Sequence, residues 1–179
     1  MNRIRQWDMF RSRSRTAAAS TAFLALLLPH PGNAHEHKPP HQGALQVLGD
    51  EAAHVELVLD RDTGKLTAYV LDGEAENAVR IATPSLPLVI RAVEPAPGSG
   101  SPPATVELRA VPNVLTGETV GDTSQFEATV KTLQHVDRFE GTFPRVDVKG
   151  TRFADVAIYY PEGNEAHEAK HEEHAGGGS

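Results

Sequence analysis

The chain has 179 residues, 17 Lys+Arg against 24 Asp+Glu, a formal net charge of -7, nine histidines and no cysteine. That length supports one domain with a real core and excludes two of usual size, and 39% hydrophobic residues fit a globular chain rather than a disordered or membrane one. The absence of cysteine excludes a disulfide framework, a thiol nucleophile, thiolate metal sites and a lipidated N-terminal Cys, and the acidic balance argues against nucleic acid as a partner.

Residues 1–34 read as a secretory signal peptide. Arg3, Arg5, Arg11, Arg13 and Arg15 make a basic start, and Thr16 to Leu28 is free of charge. Pro29, Pro31 and Gly32 then break the run, and Gly32-Asn33-Ala34 places small residues at the -3 and -1 positions of a cleavage site after Ala34. An apolar run of about 13 residues is shorter than the roughly 20 that a spanning helix needs, so no membrane span is expected after cleavage. Asp8 within the basic region leaves Met9 open as the start. Removing five Arg and one Asp leaves 12 basic and 23 acidic residues, a net of -11. The expected location is periplasmic or secreted.

Residues 35–44 form a His-rich flexible head in which Pro39-Pro40 keeps the chain extended. Residues 45–160 form the β domain. Within it, 53–60 (AHVELVLD) and 66–71 (LTAYVL) alternate in the strand period, and the polar Arg61-Asp62-Thr63-Gly64-Lys65 turn between them makes a hairpin. In 53–60 the alternation sets Val55, Leu57 and Leu59 on one face and His54, Glu56 and Val58 on the other. His54 and His135 are read as surface or internally satisfied histidines. Further strands are expected at Ala78–Ile81, Leu86–Val93, Thr105–Val111, Arg145–Val148 and Phe153–Tyr160. Residues 94–104 (EPAPGSGSPPA) and 112–125 read as loops, and 126–135 as a strand then a turn, against a competing helical spacing of Phe126, Val130 and Leu133. About seven short strands make an all-β fold, a single sandwich or partly open barrel, with disordered or marginally helical termini. The tail, 161–179, is acidic and His-rich. Asn164 is a plausible N-cap for a helix over 164–174, and a Gly-rich end follows.

The histidines cluster at the two ends. Cleavage after Ala34 exposes His35-Glu36-His37, whose α-amine, amides and His37 imidazole suit square-planar Cu(II) or Ni(II); His35 offers a competing brace through its amine and ring. His41 completes the head cluster. In the tail, His167, His171 and His174 fall on one face of a helix at i, i+4, i+7, with Glu168, Glu172 and Glu173 beside them. The competing account is a polar spacer and a solvated charged tail. His167-Glu168-Ala169-Lys170-His171 has the H-E-x-x-H spacing, but its place before a Gly-rich end does not suit a buried protease helix. No other catalytic or nucleotide motif is present, and no enzyme activity is expected.

Residues 43–81 carry Leu48-Gly49-Asp50, His54-Val55-Glu56, Asp60 with Thr63-Gly64, and Leu71-Asp72, preceded by His41 and Gly43. The second half carries Ser124-Gln125-Phe126, Leu133, Phe139-Glu140-Gly141, Val146-Asp147-Val148-Lys149-Gly150 and Phe153. Over about 120 residues this resembles a small exported domain found alone or ahead of heavy-metal efflux periplasmic adaptor proteins. The entry departs from that pattern, with His-Gln-Gly in place of His-Gly-Gly, and the adaptor's coiled coil and barrel are absent. The resemblance implies a link to metal homeostasis or efflux. The reading is an exported, non-enzymatic protein binding a divalent ion, Cu, Ni or Zn, through His35, His37, His41, His167, His171 and His174, with an envelope or efflux protein as a further partner. The alternative is an exported interaction module with no metal role.

Overall fold

A computed structural model describes residues 37–94 and 104–164, together with His167. Eight strands form one antiparallel sheet: β1 (Ala44–Leu48), β2 (Ala53–Asp60), β3 (Lys65–Leu71), β4 (Ser85–Glu94), β5 (Ala104–Ala110), β6 (Gln125–Thr129), β7 (Arg138–Val148) and β8 (Thr151–Tyr160). Their order is β1-β2-β3-β6-β5-β4-β7-β8. The sheet curls into a nearly closed barrel, which agrees with the all-β expectation. Alternation explains the interior: Val55, Leu57, Leu66, Leu88, Leu108, Phe126, Phe143 and Ile158 all point inward and are fully buried. Each such side chain stabilises the fold by about 1.5–3 kcal/mol relative to leaving it exposed.

The strands differ from the expected set in three places. β1 lies where the sequence reads only as the start of the domain. Ala78–Ile81 is no strand; it touches the sheet through single bridges, Leu71 to Ala78 and Ile81 to Thr123. β7 begins seven residues before the expected Arg145, because Gly141 and Pro144 imitate turn residues. Gly141 is required by packing: a Cβ there would sit 2.7 Å from the Val89 carbonyl oxygen, beside the register shift of β4 at Arg91. Pro144 lies beyond the β4 ladder and opposite Asp155, where the β7–β8 pairing skips a step and Asp155 has φ +51°. The competing reading of 126–135 resolves as β6 followed by a short 3-10 turn over Lys131–Leu133.

Side chains close the seam between β1 and β8. Asn164 accepts from the Val47 backbone N–H at 2.8 Å and donates to the Val47 carbonyl at 3.0 Å, imitating a strand partner. The Tyr159 N–H donates to Gln46 Oε1 at 3.3 Å. The approach is close enough that a Cβ on Gly163, at φ +85°, would meet the Leu45 carbonyl oxygen at 2.3 Å. Asn164 thus holds the beginning of the tail beside the beginning of the barrel. Asn164→Ala should cost about 1–3 kcal/mol, because it removes two hydrogen bonds from an edge strand. Denaturant melts should record the loss, and the Val47 amide should exchange faster; unchanged exchange would mean that the seam does not depend on Asn164.

The loop at 112–124 is organised by Glu118, which is largely buried. Its Oε1 accepts from the Ser124 N–H at 2.8 Å and the Ser124 hydroxyl at 2.6 Å, and its Oε2 from the Thr116 hydroxyl at 2.6 Å. Burial pushes the carboxyl pKa up, but these donors and the Arg80 guanidinium outweigh it, and the net direction is down. A carboxyl lowered in the folded state stabilises above its unfolded pKa, ordinarily 4.5, and loses that contribution as pH falls through the folded value. Glu118→Gln should therefore weaken the protein by about 1–2 kcal/mol near neutrality. The gap between wild type and variant should shrink as melts are taken progressively below that pH; a constant gap would contradict the assignment.

Candidate functional site

β2 is buried on both faces over Ala53–Leu57, although its alternation sets His54 and Glu56 on the face away from the core. The head explains the difference. The Gln42 N–H donates to the Pro39 carbonyl at 3.2 Å, and Gln42 has φ +61°, so the chain turns back along the outer face of β2. Gly43 enters so close that a Cβ would lie 2.4 Å from the Leu57 carbonyl oxygen. Only glycine fits there, which is the physical content of the Gly at this position.

Glu56 anchors the head. Its side chain is fully buried, and its Oε1 accepts the backbone N–H groups of His41 and Gly43, each at 2.8 Å. Its Oε2 accepts from His41 Nδ1 at 2.7 Å. Because an ionised carboxylate only accepts, the Nδ1 of His41 carries a proton, and in the neutral ring the lone pair is then on Nε2. The His41 ring stacks on Tyr69, 3.7 Å between centroids and 8° from parallel. Tyr69 is the cross-strand partner of Glu56, so the three groups share one patch of the outer sheet face. Burial, with the charges of Glu127 and Glu56 nearby, pushes the Tyr69 phenol pKa up against the opposing effect of Lys65, so the stacked phenol stays neutral.

Two residues earlier in β2 and four earlier in the head, His54 and His37 meet. Their rings are 4.9 Å apart at 63°, edge to face. His54 is fully buried, and its Nδ1 lies 3.0 Å from the Asp72 carbonyl oxygen. The Nε2 atoms of both rings are buried and have no hydrogen-bond partner.

Comparison with protein-family models, with curated proteins and with solved structures finds no match. The site therefore rests on its own geometry.

Of the six candidate ligands, the structure places three. His41 and His37 lie on the β2–β3 face, one against Glu56 and the other against His54. His167 is elsewhere in the chain's path, stacked on Tyr159 at 3.6 Å, with its Nδ1 3.9 Å from Glu162 Oε2. His35, His171 and His174 lie outside the described residues. Among the described residues, no three His, Asp or Glu side chains converge on one point as a metal cage, and no helix is long and apolar enough to cross a membrane. His54 and Glu56 are the residues of this candidate site that the sequence reading does not select. The available signal was their shared face: a His-x-Glu pair on a strand that directly follows a His-bearing segment.

Proposed function

We propose that this protein is an exported, non-enzymatic binder of a divalent transition-metal ion, Cu, Ni or Zn, and that its His-rich head is the principal contact. The observation that carries this reading is the His41–Glu56 pair. A metal-ligating histidine commonly donates its other ring N–H to a carboxylate, which fixes the tautomer and aims the free nitrogen. His41 has that partner, and with a side chain 41% exposed it is reachable from solvent. A donor held this way, on a head that also carries His35 and His37, suits an exchangeable site in metal homeostasis or efflux rather than a closed structural one. The likeness of residues 43–81 to an exported domain associated with heavy-metal efflux supports the same reading, as does the signal-like segment 1–34.

Calorimetry with Cu(II), Ni(II) and Zn(II) tests it, using the exported protein beside a variant with Ala at positions 35, 37, 41, 167, 171 and 174. The intact protein should bind at least one of these ions and the variant should lose that binding. If the two behave alike, or neither binds more tightly than about 100 μM, the reading is lost. One observation favours the second reading, an interaction module of the cell envelope: Val114, Leu115 and Val120 are 94%, 97% and 61% exposed on the 112–124 loop. Large apolar side chains grouped on a loop are a usual feature of contact sites.

A further inference from the structure

We infer that His37 and His54 together form a two-imidazole site for a first-row transition-metal ion, Zn(II) or Cu(II), between the head and the outer face of β2. The inference rests on the metal-binding reading and names a ligand, His54, that lies in the barrel wall rather than in the terminal clusters.

The argument begins with unsatisfied atoms. A carbonyl oxygen only accepts, so the contact with Asp72 puts the His54 proton on Nδ1 and leaves a lone pair on Nε2. That Nε2 is buried with no donor, and the Nε2 of His37, on the neighbouring ring, is likewise buried without a partner. An orphaned buried polar atom costs about 1–3 kcal/mol. Two on adjoining rings call for an explanation, and ion binding is one of the recognised ones.

The ring spacing suits an ion. With metal–nitrogen bonds of about 2.0–2.1 Å, two imidazoles bound at roughly 90–110° to one ion have ring centroids about 4.5–5.3 Å apart. The observed separation is 4.9 Å, and the 63° between ring planes differs from the near-parallel stacks of His41 on Tyr69 and His167 on Tyr159. The outer support is also present. A metal-bound histidine usually donates its second nitrogen to a carbonyl or carboxylate, and His54 has the Asp72 carbonyl. Asp72 is itself fixed, because its carboxylate accepts from the Glu76 and Asn77 N–H groups and from the Asn77 amide.

The two ligands sit on different elements, one in the barrel wall and one in the head. His54 is set by the β2 ladders to β1 and β3, opposite Val47 and Leu71. His37 belongs to the head, which Glu56 holds through His41 and Gly43. Two neutral imidazoles leave further coordination positions open to water or to an exogenous ligand. Imidazole nitrogen suits Zn and Cu alike, so the donor set defines the class of ion.

The test reads the two rings individually. Nitrogen-15 spectra of histidine-labelled full-length protein are recorded while Zn(II) is added. The Nε2 resonances of His37 and His54 should move together to coordinated positions while His54 Nδ1 stays protonated. His37→Ala should weaken Zn(II) binding at His54 about 100-fold, since even loss of an outer-shell partner costs about 10–100-fold. His37→Ala alters only the head, so its barrel melts need not change; His54→Phe keeps a buried ring and should abolish the paired shift. An unmoved His54 Nε2 at saturating Zn(II), while calorimetry still shows binding, overturns this site and leaves the metal-binding reading standing. Absence of binding to any of the ions overturns both.

Discussion

Replacing Glu56 by Ala should lower stability by about 3 kcal/mol and release the head from the sheet. Glu56 is a fully buried carboxylate with three N–H partners, the His41 and Gly43 backbone groups and His41 Nδ1. Each hydrogen bond to a charged group contributes about 1.5–3 kcal/mol, and access of water to the freed head offsets part of the loss of three. The melting temperature should fall by on the order of 10 °C. His41→Ala should cost less, because both backbone donors to Glu56 survive it. The Gly43 amide, protected by Glu56 in the wild type, should exchange readily in Glu56→Ala while amides of β4 and β7 keep their order of protection. A Glu56→Ala protein that melts like wild type, with Gly43 still protected, would show that the head is held by something other than this carboxylate.

That same residue marks the limit of what the sequence makes legible. Alternation in 53–60 places Val55, Leu57 and Leu59 inward, and the structure agrees. The same alternation sets His54 and Glu56 on the opposite face and leaves open whether that face is at the surface or covered; the structure buries both. A strand's period tells which side chains share a face, but not what covers that face. The cover is the head, whose composition of His, Pro and Lys contains no apolar stripe. It docks through hydrogen bonds to one carboxylate and through ring stacking, neither of which leaves a hydrophobic signature. β1 was missed for a related reason: five residues beside a polar head are too short for periodicity to speak. β7 was shortened because Gly141 and Pro144 serve a close approach and a register skip, where the same residues in isolation signal turns. The pairing order around the barrel, with β6 inserted between β3 and β5, depends on contacts far apart in the chain.

Phe126→Ala should be the most damaging single truncation of the core, at about 3–5 kcal/mol. Phe126 is fully buried in β6, and its neighbours across both ladders are Ala68 in β3 and Ala110 in β5. Directly opposed residues share a face, so one large ring fills the space that two small residues leave. Truncation would place three alanines in a row across three strands, and none of them can reach into the void. A cavity that cannot collapse lies at the upper end of the range for such substitutions. The location adds to the effect. β5 and β6 are joined over only two residue pairs, Arg109 with Glu127 and Ala110 with Phe126. The ring therefore sits at the least-paired joint of the sheet, where side-chain packing replaces a longer hydrogen-bond ladder. Phe126→Leu, which keeps most of the volume, should lose much less. Denaturant melts of the two variants should separate clearly, with the loss in Phe126→Ala accompanied by faster exchange at Val111, whose N–H donates to the Gln125 carbonyl at 2.9 Å, before strands β7 and β8 are affected. Equal stability of the two variants would mean that the barrel relaxes around this position, and that the narrow β5–β6 joint is not held by its ring.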